Sequence, residues 1–239
     1  MGADQHTDWR AEIASTLDWW RDAGVDTIVG EAPFDWLAPE PAKPAAVQER
    51  ATVPTLAMPG ELTAFLAWRS GPEAPEQGWA RHVLAPAGAA GQDLLVVTDM
   101  PDPADETDGA LLSGAAGKLF DNMLAAIGRD RGSVGLTALA LARPRGGRLP
   151  DAAAEQLTAI LRHHLALAAP KRVLLLGNAV SRALLSLDCL KARGTLHVVN
   201  HGGGTSAEVA SLHPRLLLER PQQKAEAWKD LQLLIRGWS

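Results

Sequence analysis

Cysteine is almost missing from this chain: Cys189 is the only one among 239 residues. An internal disulfide is therefore excluded, and so is a zinc or iron–sulfur site held by several cysteines of this chain. No run of about 18 apolar residues occurs, which argues against a membrane span. The N-terminal stretch is polar and acidic rather than basic and then apolar, so no signal peptide is predicted and a cytoplasmic location is expected.

An excess of positive charge is also missing. The chain has 23 basic and 28 acidic residues, for a formal net charge of −5. This argues against a protein coated with positive charge for nucleic acid, but it does not exclude local basic patches. The apolar and charged fractions, 46% and 21%, are ordinary for a globular protein of this length.

The first 58 residues differ from the rest of the chain. Apolar residues at helical spacing, among them Ile13, Leu17 and Trp20, predict a helix over residues 8–23. Residues 31–55 are rich in proline, alanine and glutamate, which is typical of a linker or an arm. We predict an N-terminal helix and arm over residues 1–58 and a folded domain over residues 59–239. The arm is a candidate contact for a protein partner.

From Leu94 onward, short apolar runs alternate with helical patterns. The predicted strands are DLLVVTD, VGLTALALARP and KRVLLLGN, followed by the shorter TLHVVN and EVASLHP. This alternation predicts an α/β fold of three layers, with a central, mainly parallel sheet between helices. We expect Asp151 to cap the helix that it starts, and Pro59 to lie in the first turn of an earlier helix.

Four loops follow the predicted strands, and they hold most of the candidate site residues. Their sequences are TDMPDPADETDG, ARPRGGRLP, GNAVS and the loop that contains His213. In parallel α/β sheets the functional site lies at the edge where such loops meet. The arginines of the second loop are candidates for phosphate contact, with a solvated loop as the alternative. The spacing of the other histidines does not fit a metal site, and none is predicted.

In order and spacing, these loops resemble the motifs of the uracil-DNA glycosylase superfamily, most closely the family-4 type. The family's Gly-Glu-Ala-Pro-Gly corresponds to residues Thr98 to Asp102, and its Gly-x-Pro-Phe-Val-Gly run to GALLSGAAGKLFDNML. Its His-Pro-Ser loop and closing helix correspond to SLHPRLLLERPQQKAEAWKDLQLL. The resemblance covers about residues 90–236. A second copy, GEAP at Gly30–Pro33, has no strand before it, and we interpret it as an interaction or packing element.

The resemblance implies catalytic roles for His213 and Asp99. The histidine corresponds to one that hydrogen-bonds the base oxygen on which negative charge develops. Asp99 stands where the family has glutamate, a carboxylate that aligns or deprotonates water beneath the sugar. The alternatives are a structural histidine and an aspartate that rigidifies its turn. We expect the two side chains to face a common cleft.

The base-binding residues depart from the family. The predicted base pocket consists of Met100, Pro101, Leu112 and Ala138, in which Leu112 replaces the stacking phenylalanine and Ala138 the uracil-reading asparagine. Each loss weakens base recognition by about 1–3 kcal/mol. Ala142 replaces a cysteine of the family's iron–sulfur cluster, so no cofactor is expected. The predicted DNA-binding residues are Arg143, Arg145, Arg148, Pro214 and Arg215.

Three functions remain open at this stage. The first is a DNA-associated protein of this superfamily whose base excision is weak, altered in base specificity or lost. The second is a non-catalytic DNA-replication or repair subunit, a fate that the psi subunit of the bacterial clamp loader illustrates for this fold. The third is a relative in fold alone, since a fold does not fix a function. DNA is the expected partner in the first two.

Overall fold

The computed structural model describes residues 9–22, 57–87 and 92–238. The chain divides into two units, residues 1–51 and 52–239.

The first unit contributes one described helix, α1, which spans Trp9–Asp22 as the sequence predicts. Its apolar side chains Ile13, Leu17 and Trp20 are exposed. Helical spacing places them along one side of α1. The GEAP motif and the predicted arm lie outside the described residues.

The second unit is built on a sheet of five strands. They are β1 (Leu94–Thr98), β2 (Gly135–Ala138), β3 (Arg172–Leu176), β4 (His197–Asn200) and β5 (Thr205–Ser211). Their order is β2-β1-β3-β5-β4, with β4 antiparallel to β5 and every other neighbouring pair parallel. All five residues of β1 are buried, as expected for a strand that is covered on both faces.

Helices cover both faces of this sheet. They are α2 (Leu62–Ser70), α3 (Pro103–Asp108), α4 (Gly114–Ala126), α5 (Asp151–Ala168), α6 (Asn178–Leu185), α7 (Cys189–Ala192), α8 (Pro214–Glu219) and α9 (Lys224–Ile235). One apolar core joins Val96 to α4, α8 and α9, and a second joins Val97 to α5 and α6. The predicted three-layer α/β fold is therefore confirmed. In the described part of the chain, no helix is long and apolar enough to cross a membrane.

Several predicted boundaries shift. Helix α2 begins at Leu62, so Pro59 precedes it rather than lying in its first turn. Asp151 is the first residue of α5, and Pro150 occupies the N-cap position that was predicted for the aspartate. Helices α3 and α8 were not predicted, and both begin at a proline, where the missing backbone N–H costs nothing.

A buried ion pair holds α2 and the segment after it against the sheet. The Arg69 and Glu76 side chains lie 2.5 Å apart, and only 3% and 0% of their surfaces are exposed. Arg69 also donates a hydrogen bond to the carbonyl of Leu139 at 3.1 Å, and the backbone N–H of Leu141 donates to Glu76 at 3.0 Å. The backbone groups of Leu139 and Leu141, just after β2, are thus hydrogen-bonded to side chains. This explains why β2 ends earlier than its apolar run predicts.

Candidate functional site

The loops predicted to form the site meet at the carboxyl edge of the parallel strands. Asp99 directly follows β1, and Gly177 directly follows β3. His213 comes two residues after β5, and the arginine-rich loop follows β2. Because β3 lies between β1 and β5, the first and fourth loops flank the N-terminus of α6.

The Asp99 carboxylate binds the N-terminus of α6. It accepts hydrogen bonds from the backbone N–H groups of Asn178 at 3.1 Å and Val180 at 2.8 Å. The backbone of Gly177, at a φ of +135°, allows this approach, because a Cβ there would collide with the carboxyl group. Burial raises the pKa of Asp99, although these backbone donors and the charge of Arg215 act against the rise. This geometry supports the turn-stabilising role that the sequence left open.

His213 caps helix α8 through one nitrogen of its ring. The ring Nδ1 accepts a hydrogen bond from the backbone N–H of Arg215 at 3.2 Å. Burial, together with the charge of Arg215, lowers the pKa of His213 to about 4, while Asp105 opposes this shift. The ring is therefore neutral near physiological pH, and its proton lies on Nε2. Among the described residues, Nε2 has no hydrogen-bond partner, so this N–H is available to an acceptor atom of a ligand.

Two arginines predicted to bind DNA converge instead on Asp102. Arg215 donates a hydrogen bond to its carboxylate at 2.7 Å, and Arg143 lies 3.9 Å from the same oxygen. Arg143 also donates to the carbonyl of Pro101 at 3.0 Å. Sequence reasoning missed Asp102, although the signal was present, because the family has glycine at this position.

The structure does not bring the predicted base pocket together. Leu112 and Ala138 are 1% and 2% exposed and belong to the apolar core shared with α4, α8 and α9. Met100 packs against the other core, on the α5 and α6 side of the sheet. Pro101, the residue after Met100, is buried, and its carbonyl accepts a hydrogen bond from Arg143.

A cleft of about 750 Å³ opens beside Asp99. Met100, Arg148 and residues of α5 and α6 also line it, but His213 does not. Among the described residues, His213 therefore does not share the cleft of Asp99, as we had expected it to. The carboxylate is engaged by the backbone of α6, and the imidazole is engaged by the first turn of α8.

The remaining predicted DNA-binding residues lie apart from one another. Arg145 is exposed and lines a second cavity on the other side of the arginine-rich loop. Pro214 is buried as the first residue of α8, where it fixes the helix start after His213.

A buried polar network supports the loop that contains His213. The hydroxyl of Ser211, the last residue of β5, donates a hydrogen bond to Asp230 of α9 at 2.7 Å. Arg193 donates to the same carboxylate oxygen at 2.7 Å. Because Asp230 is 1% exposed, this network fixes α9 to the end of β5. The sequence pattern did not indicate these residues.

The iron–sulfur cluster that the resemblance implies does not fit this chain. Ala142 is buried in the position of a cluster cysteine, and Cys189 is the single thiol of the sequence. That thiol donates a hydrogen bond to the carbonyl of Ser211 at 3.2 Å, and burial raises its pKa. In the ranges that the structure describes, no three histidine, cysteine or acidic side chains are placed to hold a metal ion.

Comparisons with known proteins identify the family of this chain. A family model described as the uracil DNA glycosylase superfamily matches residues 85–232. The type-4 uracil-DNA glycosylase of Pyrobaculum aerophilum is 24% identical over 172 residues, which cover 68% of this chain and 87% of that protein. The type-4 uracil-DNA glycosylase of Archaeoglobus fulgidus is 28% identical over 147 residues, which cover 59% of this chain and 74% of that protein. The family match begins before β1, ends within α9 and covers more than half of the chain, which therefore belongs to the uracil DNA glycosylase superfamily.

Proposed function

We propose that this chain is a DNA-associated protein with weak uracil-DNA glycosylase activity. The observation that carries the proposal is the state of His213: a half-buried, neutral imidazole with an unengaged Nε2–H at the carboxyl edge of the sheet. The names of the two similar proteins, both type-4 uracil-DNA glycosylases, support uracil as the base.

The proposed reaction is hydrolysis of the bond between the base nitrogen and C1′ of the sugar. As this bond breaks, its electron pair moves onto the base, and the Nε2–H of His213 stabilises the charge on the base oxygen. Water adds to C1′ and gives up a proton to a carboxylate, while the anionic base takes up a proton, which leaves an abasic sugar and the free base. Asp99 is the proposed carboxylate that receives this proton, and its raised pKa makes it a stronger base than an ordinary aspartate. Because His213 does not line the cleft beside Asp99, the two groups are poorly arranged around one nucleotide, which is a further reason to expect weak activity.

The same geometry accounts for weak activity. Both oxygens of Asp99 accept backbone hydrogen bonds from α6, so a water molecule must share them. Leu112 and Ala138 are packed in the core, where they offer neither an aromatic face nor an amide to an extruded base. We therefore expect cleavage to be slow and selectivity for uracil to be low.

The first test is incubation with uracil-containing single-stranded and duplex DNA, followed by detection of abasic sites. His213→Asn should lower the excision rate by about 100-fold or more, because one preorganised donor to a developing anion is lost. Asparagine is a favourable N-cap residue, so α8 is preserved. The control is His82→Asn at an exposed histidine. Excision that survives His213→Asn at the control rate contradicts the proposed role.

Asp102 is expected to limit DNA affinity. Its carboxylate neutralises Arg215 and lies close to Arg143, so phosphates must compete with it for these guanidinium groups. Asp102→Asn should tighten binding to single-stranded DNA several-fold and steepen its salt dependence. Fluorescence anisotropy at several salt concentrations measures both effects. Glu219→Gln is the matched control, since Glu219 is exposed and 4.0 Å from Arg215; equal gains in both variants would contradict a specific role for Asp102.

The second candidate is a non-catalytic DNA-binding subunit. The backbone-bound Asp99 carboxylate favours it, and so do the exposed apolar side chains of α1, because a subunit needs a contact for its protein partner. If the protein binds DNA but forms no abasic sites that depend on His213, this second candidate is supported and the first is rejected.

A further inference from the structure

A cavity of about 520 Å³ lies between the segment after α2 and the arginine-rich loop after β2. Trp79 and Arg81 line it from the first segment, and Arg143 and Arg145 line it from the second. Glu106 of α3 lies at its border as well. With three arginines and one glutamate in its lining, the cavity carries a net positive charge and suits an anionic ligand.

Two of these arginines are available for binding. Arg81 and Arg145 are exposed, and neither forms a hydrogen bond or ion pair with any residue that the structure describes. Arg143 differs, since it is held by the carbonyl of Pro101 and lies near Asp102. Arg81 and Arg145 can therefore bind phosphate oxygens without first breaking an internal contact. Arg143, in contrast, has to leave the Asp102 carboxylate before it can bind a phosphate.

Trp79 is held in place beside the cavity. Its ring is partly buried and packs against the apolar core that contains α5 and α6. Its backbone N–H donates to the carbonyl of Glu76 at 3.1 Å, so the buried Arg69–Glu76 pair holds this segment in place. A rigid indole loses little entropy when a base stacks on it, and aromatic–base stacking is a sequence-tolerant source of affinity for unpaired nucleotides.

We infer that this cavity binds a nucleotide of single-stranded DNA, with the base against Trp79 and the neighbouring phosphates on Arg81 and Arg145. The inference rests on the DNA association proposed above and adds residues that the family motifs do not include. A single strand fits better than a duplex, because a base has to leave its pair and its stack to reach an indole inside a cavity. Arg143 links this cavity to the Asp102 and Arg215 contact beside His213, which gives the strand a basic path towards the site.

The test is binding of the full chain to a labelled oligothymidine, measured by fluorescence anisotropy over a range of salt concentrations. The double variant Arg81→Ala/Arg145→Ala should bind at least about tenfold more weakly at low salt, and its salt slope should fall by about 1.4, the loss of two phosphate contacts. Trp79→Leu should weaken binding about 5- to 100-fold, and Trp79→Phe should restore most of the affinity because it keeps the aromatic face.

The charge-matched control is Arg220→Ala/Lys224→Ala, two exposed basic residues near the start of α9. An equal loss of affinity in this control would show a non-specific charge effect and overturn the inference. Unchanged binding of the Arg81 and Arg145 double variant would also overturn it, while leaving the proposed function intact if wild-type protein still binds DNA. If wild-type protein does not bind DNA at low salt, both proposals fail. Tighter binding of an oligouridine RNA, or equal competition by thymidine monophosphate, would assign the cavity to a different ligand and overturn the inference for DNA.

Discussion

Glu76→Ala is expected to lower the free energy of unfolding by about 3–5 kcal/mol, the usual effect of removing one partner of a buried ion pair. The substitution leaves the Arg69 guanidinium buried without its counter-charge. It also leaves the backbone N–H of Leu141 without its acceptor. Urea unfolding followed by circular dichroism measures the change. Glu73→Ala is the control, because Glu73 is exposed in the same segment and its loss should cost less than about 0.5 kcal/mol.

A double-mutant cycle separates the charge from the packing. Arg69→Met/Glu76→Leu removes both charges, and it should destabilise the protein less than Glu76→Leu alone. It should still be less stable than the wild type, because the carbonyl of Leu139 and the N–H of Leu141 lose their partners. Strictly additive effects of the two single substitutions would contradict the description of Arg69 and Glu76 as a coupled pair.

Acidification is expected to destabilise the protein through two histidines, of which His164 is buried and His213 is half-buried. The pKa of His164 is lowered to about 4 by burial, with the charge of Arg69 and then His163 adding to this, and the pKa of His213 is lowered to the same range. Both folded values lie below the ordinary histidine pKa of 6.5, so the unfolded chain binds more protons between these two values. Stability should therefore fall as the pH falls through this window, by about 3 kcal/mol for each histidine.

Substitution identifies the source of this pH dependence. His164→Gln should remove about half of the acid-induced loss, and His164→Gln/His213→Asn should remove most of it, as measured by urea unfolding at about pH 7 and about pH 4.5. Asp99 acts in the opposite direction, because its raised pKa adds stability as it becomes protonated. A wild-type stability that stays level or rises on acidification would show that folding does not hold the two imidazoles in their neutral form.

The alternation of strands and helices along the chain could be predicted, because buried strands consist largely of apolar residues. Strands β1 and β3 are covered on both faces, and each appears in the sequence as an unbroken apolar run. Helices α3 and α8 have six residues each, too few for a helical period to stand out. The early end of β2 was not predictable, because it depends on Arg69 and Glu76, charged side chains that are rarely fully buried.

The site was less predictable than the fold. The His-Pro pair located His213 in a loop at the sheet edge, because proline constrains the local backbone. That Pro214 begins helix α8 was not predicted. Side-chain partners could not be read from the sequence in the same way. Whether Asp99 binds water or the N-terminus of α6, and whether Arg215 binds phosphate or Asp102, depends on contacts between residues more than 70 positions apart.

The replacement of cluster ligands also changes how this protein responds to oxidants. A family member that relies on an iron–sulfur cluster depends on an iron supply and is vulnerable to oxygen and to chelators. Here an arginine–glutamate pair, which neither gains nor loses electrons, anchors α2 to the sheet. The lone thiol is buried and has a raised pKa, so it is a poor target for peroxide. The protein is thus expected to retain its fold under oxidative conditions that would damage a metal-containing relative.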